Sequence, residues 1–251
     1  MSFWDAVVLF AAGVAAGAIN AVAGGGSLVS FPALVAIGYP ALTANVTNTV
    51  SIWPGYVSGT ATFRPELEGQ GRRLREFGIA SILGAVIGSI LLLVLPSSVF
   101  RVIVPWLVLM SAALVAVQPR LARYLRRNHP EHHEHHTLWV HVLVLLSSVY
   151  GAYFGGGLGV ILLGIFGLVV VDTFHRVNAL KSAISLIVNT IALLAFVTFG
   201  PIAWTAVLVL APASLIGGTV GVRLARITPP STLRIAVVII GTGVGIVLLV
   251  R

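Results

Sequence analysis

The chain has 251 residues, of which 58% are hydrophobic and only 9% charged, and its mean hydropathy is +1.04. A soluble domain carries about 25% charged residues, so a water-surrounded globule is excluded and a membrane-embedded chain is indicated. The net charge of +8, from 15 basic and 7 acidic residues, reads in such a chain as a topology signal rather than as nucleic-acid binding. The absence of cysteine excludes disulfides, thiolate metal sites and cysteine nucleophiles.

Runs without any charge, such as 79–100, 102–117 and 184–222, are long enough to span a bilayer. Strand-like alternation is absent, so the spans are helices, which satisfy their own backbone hydrogen bonds in lipid. The first apolar segment, 3–23, opens without the positive charge of a signal peptide and is expected to stay in the mature chain. It ends at the triplet Gly24-Gly25-Gly26. The second segment, 27–37, has too few residues to cross ~30 Å of hydrocarbon. Longer segments follow at 41–63, 77–95 and 99–117, then a polar linker, then 138–154, 158–171, 174–199, 203–225 and 232–250. The chain thus divides into a first membrane repeat at 1–118, an Arg/His-rich linker at 119–137 and a second membrane repeat at 138–251.

The two halves are related. Asn45, Gly84, Gly88, Pro96 and Arg101 recur 133 residues later as Asn178, Gly217, Gly221, Pro229 and Arg234. The triplet recurs as Gly155-Gly156-Gly157, at a spacing of 131. A duplicated apolar chain is the mark of a transporter whose substrate site lies where the halves meet.

Loop charges set the orientation. Arg64, Arg72, Arg73 and Arg75 before the 77–95 segment, and Arg120, Arg123, Arg126 and Arg127 in the linker, both face the cytoplasm under the positive-inside rule. In the second half the bias reverses: Arg223, Arg226 and Arg234 flank the equivalent of an outer turn, and only Arg101 dissents. The reading is an all-α polytopic membrane protein of two inverted repeats. Each has a short re-entrant-type helical hairpin, dipping to mid-membrane and returning at its glycines, plus three transmembrane helices. The N-terminus is expected outside and the linker in the cytoplasm of a prokaryotic plasma membrane.

Three glycines permit a tight turn and a close ligand approach. The helix after each triplet presents unpaired N–H groups and the positive end of its dipole, a ready anion site, and Ser27 adds a hydroxyl. The bland alternative is close helix packing through small residues. A second cluster opens the third segment of each half: Asn45, Thr47 and Asn48 in the first, Asn178, Lys181 and Ser182 in the second, with Asn189 two turns on. Lys181 is the only lysine. A cation inside a membrane helix faces a cavity or a partner. The three readings of it are a bound anion, an ion pair with Asp172 in the adjacent junction, and snorkelling to the surface. The run from His129 to His136 reads as a solvated loop rather than a metal tract, and no Ser–His or carboxylate pair within the spans suggests an enzyme.

Gly24-Gly25-Gly26-Ser27-Leu28 with Pro32 following, then Ala44, Thr47 and Asn48, and the same plan repeated through Lys181, Asn189 and Phe196, resembles the TauE/SafE family over nearly the whole chain. Leu163 stands where a second proline would match Pro32, and Asn48 where a serine is expected. The resemblance implies a permease exporting sulfite or an organosulfonate. The reading is a secondary transporter working by alternating access, with an anion held by Gly24, Gly25, Gly26, Ser27, Asn45, Thr47, Asn48, Gly155, Gly156, Gly157, Asn178, Lys181, Ser182 and Asn189. An anion channel, or a permease for another small anion or carboxylate, is the alternative. The expected partners are a small sulfur oxyanion and the lipid bilayer, with a homodimer left open. No cofactor, metal or nucleic acid is expected.

Overall fold

The computed structural model describes residues 1–22, 24–127, 138–224 and 230–250, and the histidine run lies outside them. The described residues form ten α-helices, one 3-10 turn and no strand. The helices are α1 (Phe3–Val22), α2 (Ser27–Ala36), α3 (Ala41–Thr62), α4 (Gly71–Val94) and α5 (Ser97–Arg127), then α6 (Leu138–Tyr153), α7 (Leu158–Val169), α8 (Phe174–Phe199), α9 (Trp204–Leu224) and α10 (Pro230–Val250). The 3-10 turn, Pro65–Leu67, joins α3 to α4. Among the described residues, four helices are long and apolar enough to cross a membrane: α1, α4, α5 as far as Arg120, and α8. The short α2 and α7, of 10 and 12 residues, sit where the sequence places them.

The duplication in sequence is a duplication in packing. α1 lies against α9 and α6 against α4; α3 meets α9 and α8 meets α4; α2 touches α10 and α7 touches α5. The glycines of the repeat explain how. A Cβ on Gly217 of α9 would lie 2.1 Å from the Val14 carbonyl oxygen of α1, and one on Gly84 of α4 would lie 2.3 Å from the Leu145 carbonyl oxygen of α6. Val14 and Leu145 are themselves 131 residues apart, so one backbone contact is made twice. Small residues are what membrane helices use for such approach, because lipid gives no hydrophobic drive to bring them together.

Two pairs of equivalent helices run antiparallel. Along α3 and α8, Thr47 Oγ1 accepts from the Ala203 N–H at 3.0 Å just beyond α8, Trp53 Nε1 donates to Thr190 Oγ1 at 2.9 Å, and Thr60 Oγ1 donates to the Ser182 carbonyl at 3.3 Å. Along α5 and α10, Gly241 faces Ala112 and Gly245 faces Leu109.

Two boundaries and one depth differ from the sequence reading. α5 continues to Arg127, ten residues past the expected end at 117, so the first part of the linker is helical; its Arg, Leu and Ala content favours helix despite its polarity. α4 starts at Gly71 and takes Arg72, Arg73 and Arg75 into its first turns, where Arg72 pairs with Glu76 one turn on at 2.8 Å. α1, at 20 residues, is by itself long enough to cross, which is more than entry to half depth requires.

Candidate functional site at the paired glycine turns

α1 turns into α2 through Gly24 and Gly25, at φ +77° and +98°, and α6 into α7 through Gly155 and Gly157, at +82° and +79°. These are left-handed conformations that only glycine adopts readily. The two turns meet. A Cβ on Gly24 would lie 2.8 Å from Gly159 Cα, Gly155 faces Ser27, and the Phe31 and Phe154 rings stack edge-on at 5.5 Å. α5 covers both, with Val115 over Gly25 and Ser111 and Leu114 over Gly157.

The turns differ in chemistry. At the first, Asn20 Oδ1 accepts from the Gly26 N–H at 2.7 Å, while the N–H groups of Gly25 and Ser27 have no acceptor among the described residues. Ser30 Oγ on α2 donates to Asn48 Oδ1. Both amide nitrogens left over, Asn20 Nδ2 and Asn48 Nδ2, are buried without a partner. At the second, the Gly156 carbonyl accepts from Ser111 Oγ at 2.8 Å and from the Tyr150 hydroxyl. There the residue in the place of Ser27 is Leu158, fully buried over Gly151.

Lys181 lies between the turns. Its stem passes over Gly159, with Cδ 3.2 Å from where a Cβ would sit, and Gly159 in turn faces Gly24. The residue is 1% exposed, so it does not snorkel. Its ammonium has no hydrogen-bond acceptor or ion pair among the described residues. The ion pair with Asp172 is overturned. Asp172 belongs to a joint between the halves, held by Arg73 of α4 at 2.7 Å and Arg176 of α8 at 2.9 Å. Arg176 also donates to the Glu68 carbonyl, and Gln70 Nε2 donates to the Arg176 carbonyl. Burial favours the neutral acid, but the two guanidiniums and the Thr173 N–H outweigh it and hold the Asp172 carboxyl below the usual carboxylate range.

Of the other predicted residues, several have their donors occupied. Asn45 Nδ2 donates to the Tyr153 carbonyl, Ser182 Oγ to the Asn178 carbonyl and Asn189 Nδ2 to the Ser185 carbonyl, each at 2.9 Å. Thr47 serves the start of α9, as above. Asn178 is buried with its Oδ1 unpaired. The structure therefore brings together Gly24, Gly25, Gly26, Ser27, Asn48 and Lys181 with Gly155, Gly156 and Gly157, and leaves Thr47, Ser182 and Asn189 as helix-to-backbone ties. Sequence reasoning missed Asn20, Ser30, Ser111 and Tyr150. Asn20 carried one signal, a lone amide in an otherwise apolar run four residues before the triplet.

A cavity of about 10 Å³ lies beside the first turn between Asn20, Tyr56, Thr60 and Ser182, room for about one water. A larger pocket, about 330 Å³, opens at the α2–α3 corner between Val35, Pro40, Leu42 and Arg101. Among the described residues no group of three His, Cys, Asp or Glu could hold a metal.

Apolar helices, two half-length helices meeting at glycine turns, and a buried cation between them define a multi-pass membrane transport protein, not an enzyme. The chain belongs to the sulfite exporter TauE/SafE family, whose profile matches residues 9–248. It is 27% identical to a probable membrane transporter protein, ORF9, of Sinorhizobium, over 99% of this chain and 94% of that one. It is 25% identical to a probable membrane transporter protein of Haemophilus influenzae, over 92% and 89%. It is also 25% identical to the probable membrane transporter protein YfcA of Escherichia coli, over 93% and 85%. No solved structure matches it.

Proposed function

We propose that the protein exports a small sulfur oxyanion, sulfite or an organosulfonate, by alternating access, with the anion held between the two glycine turns. The observation that carries this is Lys181, buried beside the meeting point of the two glycine turns with no partner for its ammonium among the described residues. An isolated ammonium in low dielectric is strongly disfavoured, and a bound anion supplies the missing charge. The helix N-termini of α2 and α7 add N–H groups and dipole. The family description names sulfite, which supports the substrate class.

The antiparallel courses of α3 with α8 and of α5 with α10 support inverted repeats, as does the reversal of loop charge. In that arrangement the Arg73–Asp172–Arg176 joint faces the cytoplasm of a prokaryotic plasma membrane, and the pocket beside Arg101 opens outside as a vestibule. Outward movement of one negative charge across ~100 mV, inside negative, releases about 2.3 kcal/mol, so export needs no coupling ion.

The test is counterflow in proteoliposomes loaded in turn with sulfite, sulfoacetate, taurine, sulfate and thiosulfate, each with and without an imposed potential. Saturable exchange of one sulfur oxyanion is expected. Fast potential-driven flux without exchange, or no flux of any of them, would overturn the reading.

A further inference from the structure

We propose that Asn20 is a specificity-determining ligand of the transported anion, presenting its side-chain Nδ2 to the substrate at the first glycine turn. This rests on the anion-transport reading above. Its orientation is fixed by chemistry. The Gly26 N–H, 2.7 Å from Oδ1, can only donate, so the oxygen must face it and the NH2 group must point away. That NH2 group is buried with no partner, on a residue 4% exposed. A buried donor without an acceptor is costly, and it stands here at a helix N-terminus whose Gly25 and Ser27 N–H groups also lack acceptors among the described residues. Asn20 lines the same small cavity as Ser182, the residue next to Lys181.

The second turn has nothing comparable. Gly151 stands 131 residues after Asn20, and a Cβ there would lie 2.5 Å from Leu158 Cδ2. The amide is a device of the first half alone. Amide, ammonium and N–H groups are all donors, so the ligand they fit presents acceptors on every side: a small, deprotonated oxyanion. A group carrying its own donor, such as the ammonium end of taurine, does not fit against Asn20.

Asn20→Asp separates the two roles of the side chain. A carboxylate still accepts from Gly26 N–H, but it replaces the donor with a negative acceptor. Calorimetric titration of the purified full-length protein with sulfite reads the result, with Lys181→Met as reference. Asn20→Asp, in the fraction that folds, is expected to bind sulfite at least ~100-fold more weakly than the wild type, through like-charge repulsion. If Asn20→Asp does not fold, Asn20→Ala decides, with a loss of roughly tenfold for one missing hydrogen bond to a charged ligand. Binding within threefold of wild type in the folded variant, while Lys181→Met loses it, would overturn the role of Asn20 and leave the anion site standing. No sulfite binding by the wild type would overturn the anion site itself, and this inference with it.

Discussion

The two glycine turns occupy equivalent places in the repeat and are surrounded by different side chains. The first keeps its donors open: two N–H groups, Asn20 Nδ2 and Asn48 Nδ2 point at no acceptor among the described residues. At the second, Tyr150 and Ser111 hold the Gly156 carbonyl and Leu158 fills the space beside Gly151, while the N–H groups of Gly156 and Gly157 likewise meet no acceptor among the described residues. The contrast continues at the far ends of the short helices. After α7, Asp172 joins the halves through two arginines; after α2, the equivalent Tyr39 makes an exposed 3.4 Å contact between hydroxyls with Thr205. Duplication supplied the scaffold and its N–H groups twice, and the side chains added amide donors at the first turn and packing at the second.

The largest effect is expected at Lys181, which serves both turns. Lys181→Met should abolish anion exchange and, by removing an unpaired buried charge, raise the unfolding temperature of the ligand-free protein by several degrees; a lower temperature would mean that the ammonium has a protein partner. Next comes Leu158→Ala, which attacks the packing of the second turn. It should cost about 2–5 kcal/mol of stability, as buried leucine truncations do, while the folded fraction binds its anion normally. A lost affinity without lost stability would erase the distinction between the turns.

Asp172→Asn weakens the stronger corner by about 1–2 kcal/mol, between the exposed and buried limits for ion pairs. The sign with pH follows from a carboxyl held below its ordinary value. Its stabilising share is complete above the unfolded value of about 3.9 and is lost as pH falls through the lower folded value. Thermal unfolding of the wild type should therefore lose stability on that account only below about pH 4, and Asp172→Asn should lack that component of the acid limb. A loss beginning at pH 6 would assign it to other groups. The smallest effect is expected for Tyr150→Phe, about 1 kcal/mol of stability for one hydrogen bond, with anion affinity unchanged because Ser111 still holds the Gly156 carbonyl.

Much of this was legible in the chain. Repeated glycines located the helix contacts, because only glycine lets Gly84 and Gly217 reach a neighbouring carbonyl. The triplets located both turns, and the single lysine located the buried charge. Hydrogen-bond economy was not legible. Whether a buried Ser, Thr or Asn offers its donor to a ligand depends on its rotamer, and Ser182 and Asn189 turn back onto carbonyls four residues earlier. Asn20 escaped because its repeat partner is a glycine, so the duplication gave it no echo. Asp172 escaped because its partner Arg73 is 99 residues away, a separation that the sequence does not bridge.

The central claim is that a small oxyanion is the counter-charge of Lys181. Equilibrium binding of radiolabelled sulfite to the purified wild type and to Lys181→Met tests it most directly. The account predicts saturable binding to the wild type and none to the variant; saturable binding of equal affinity to both would contradict it.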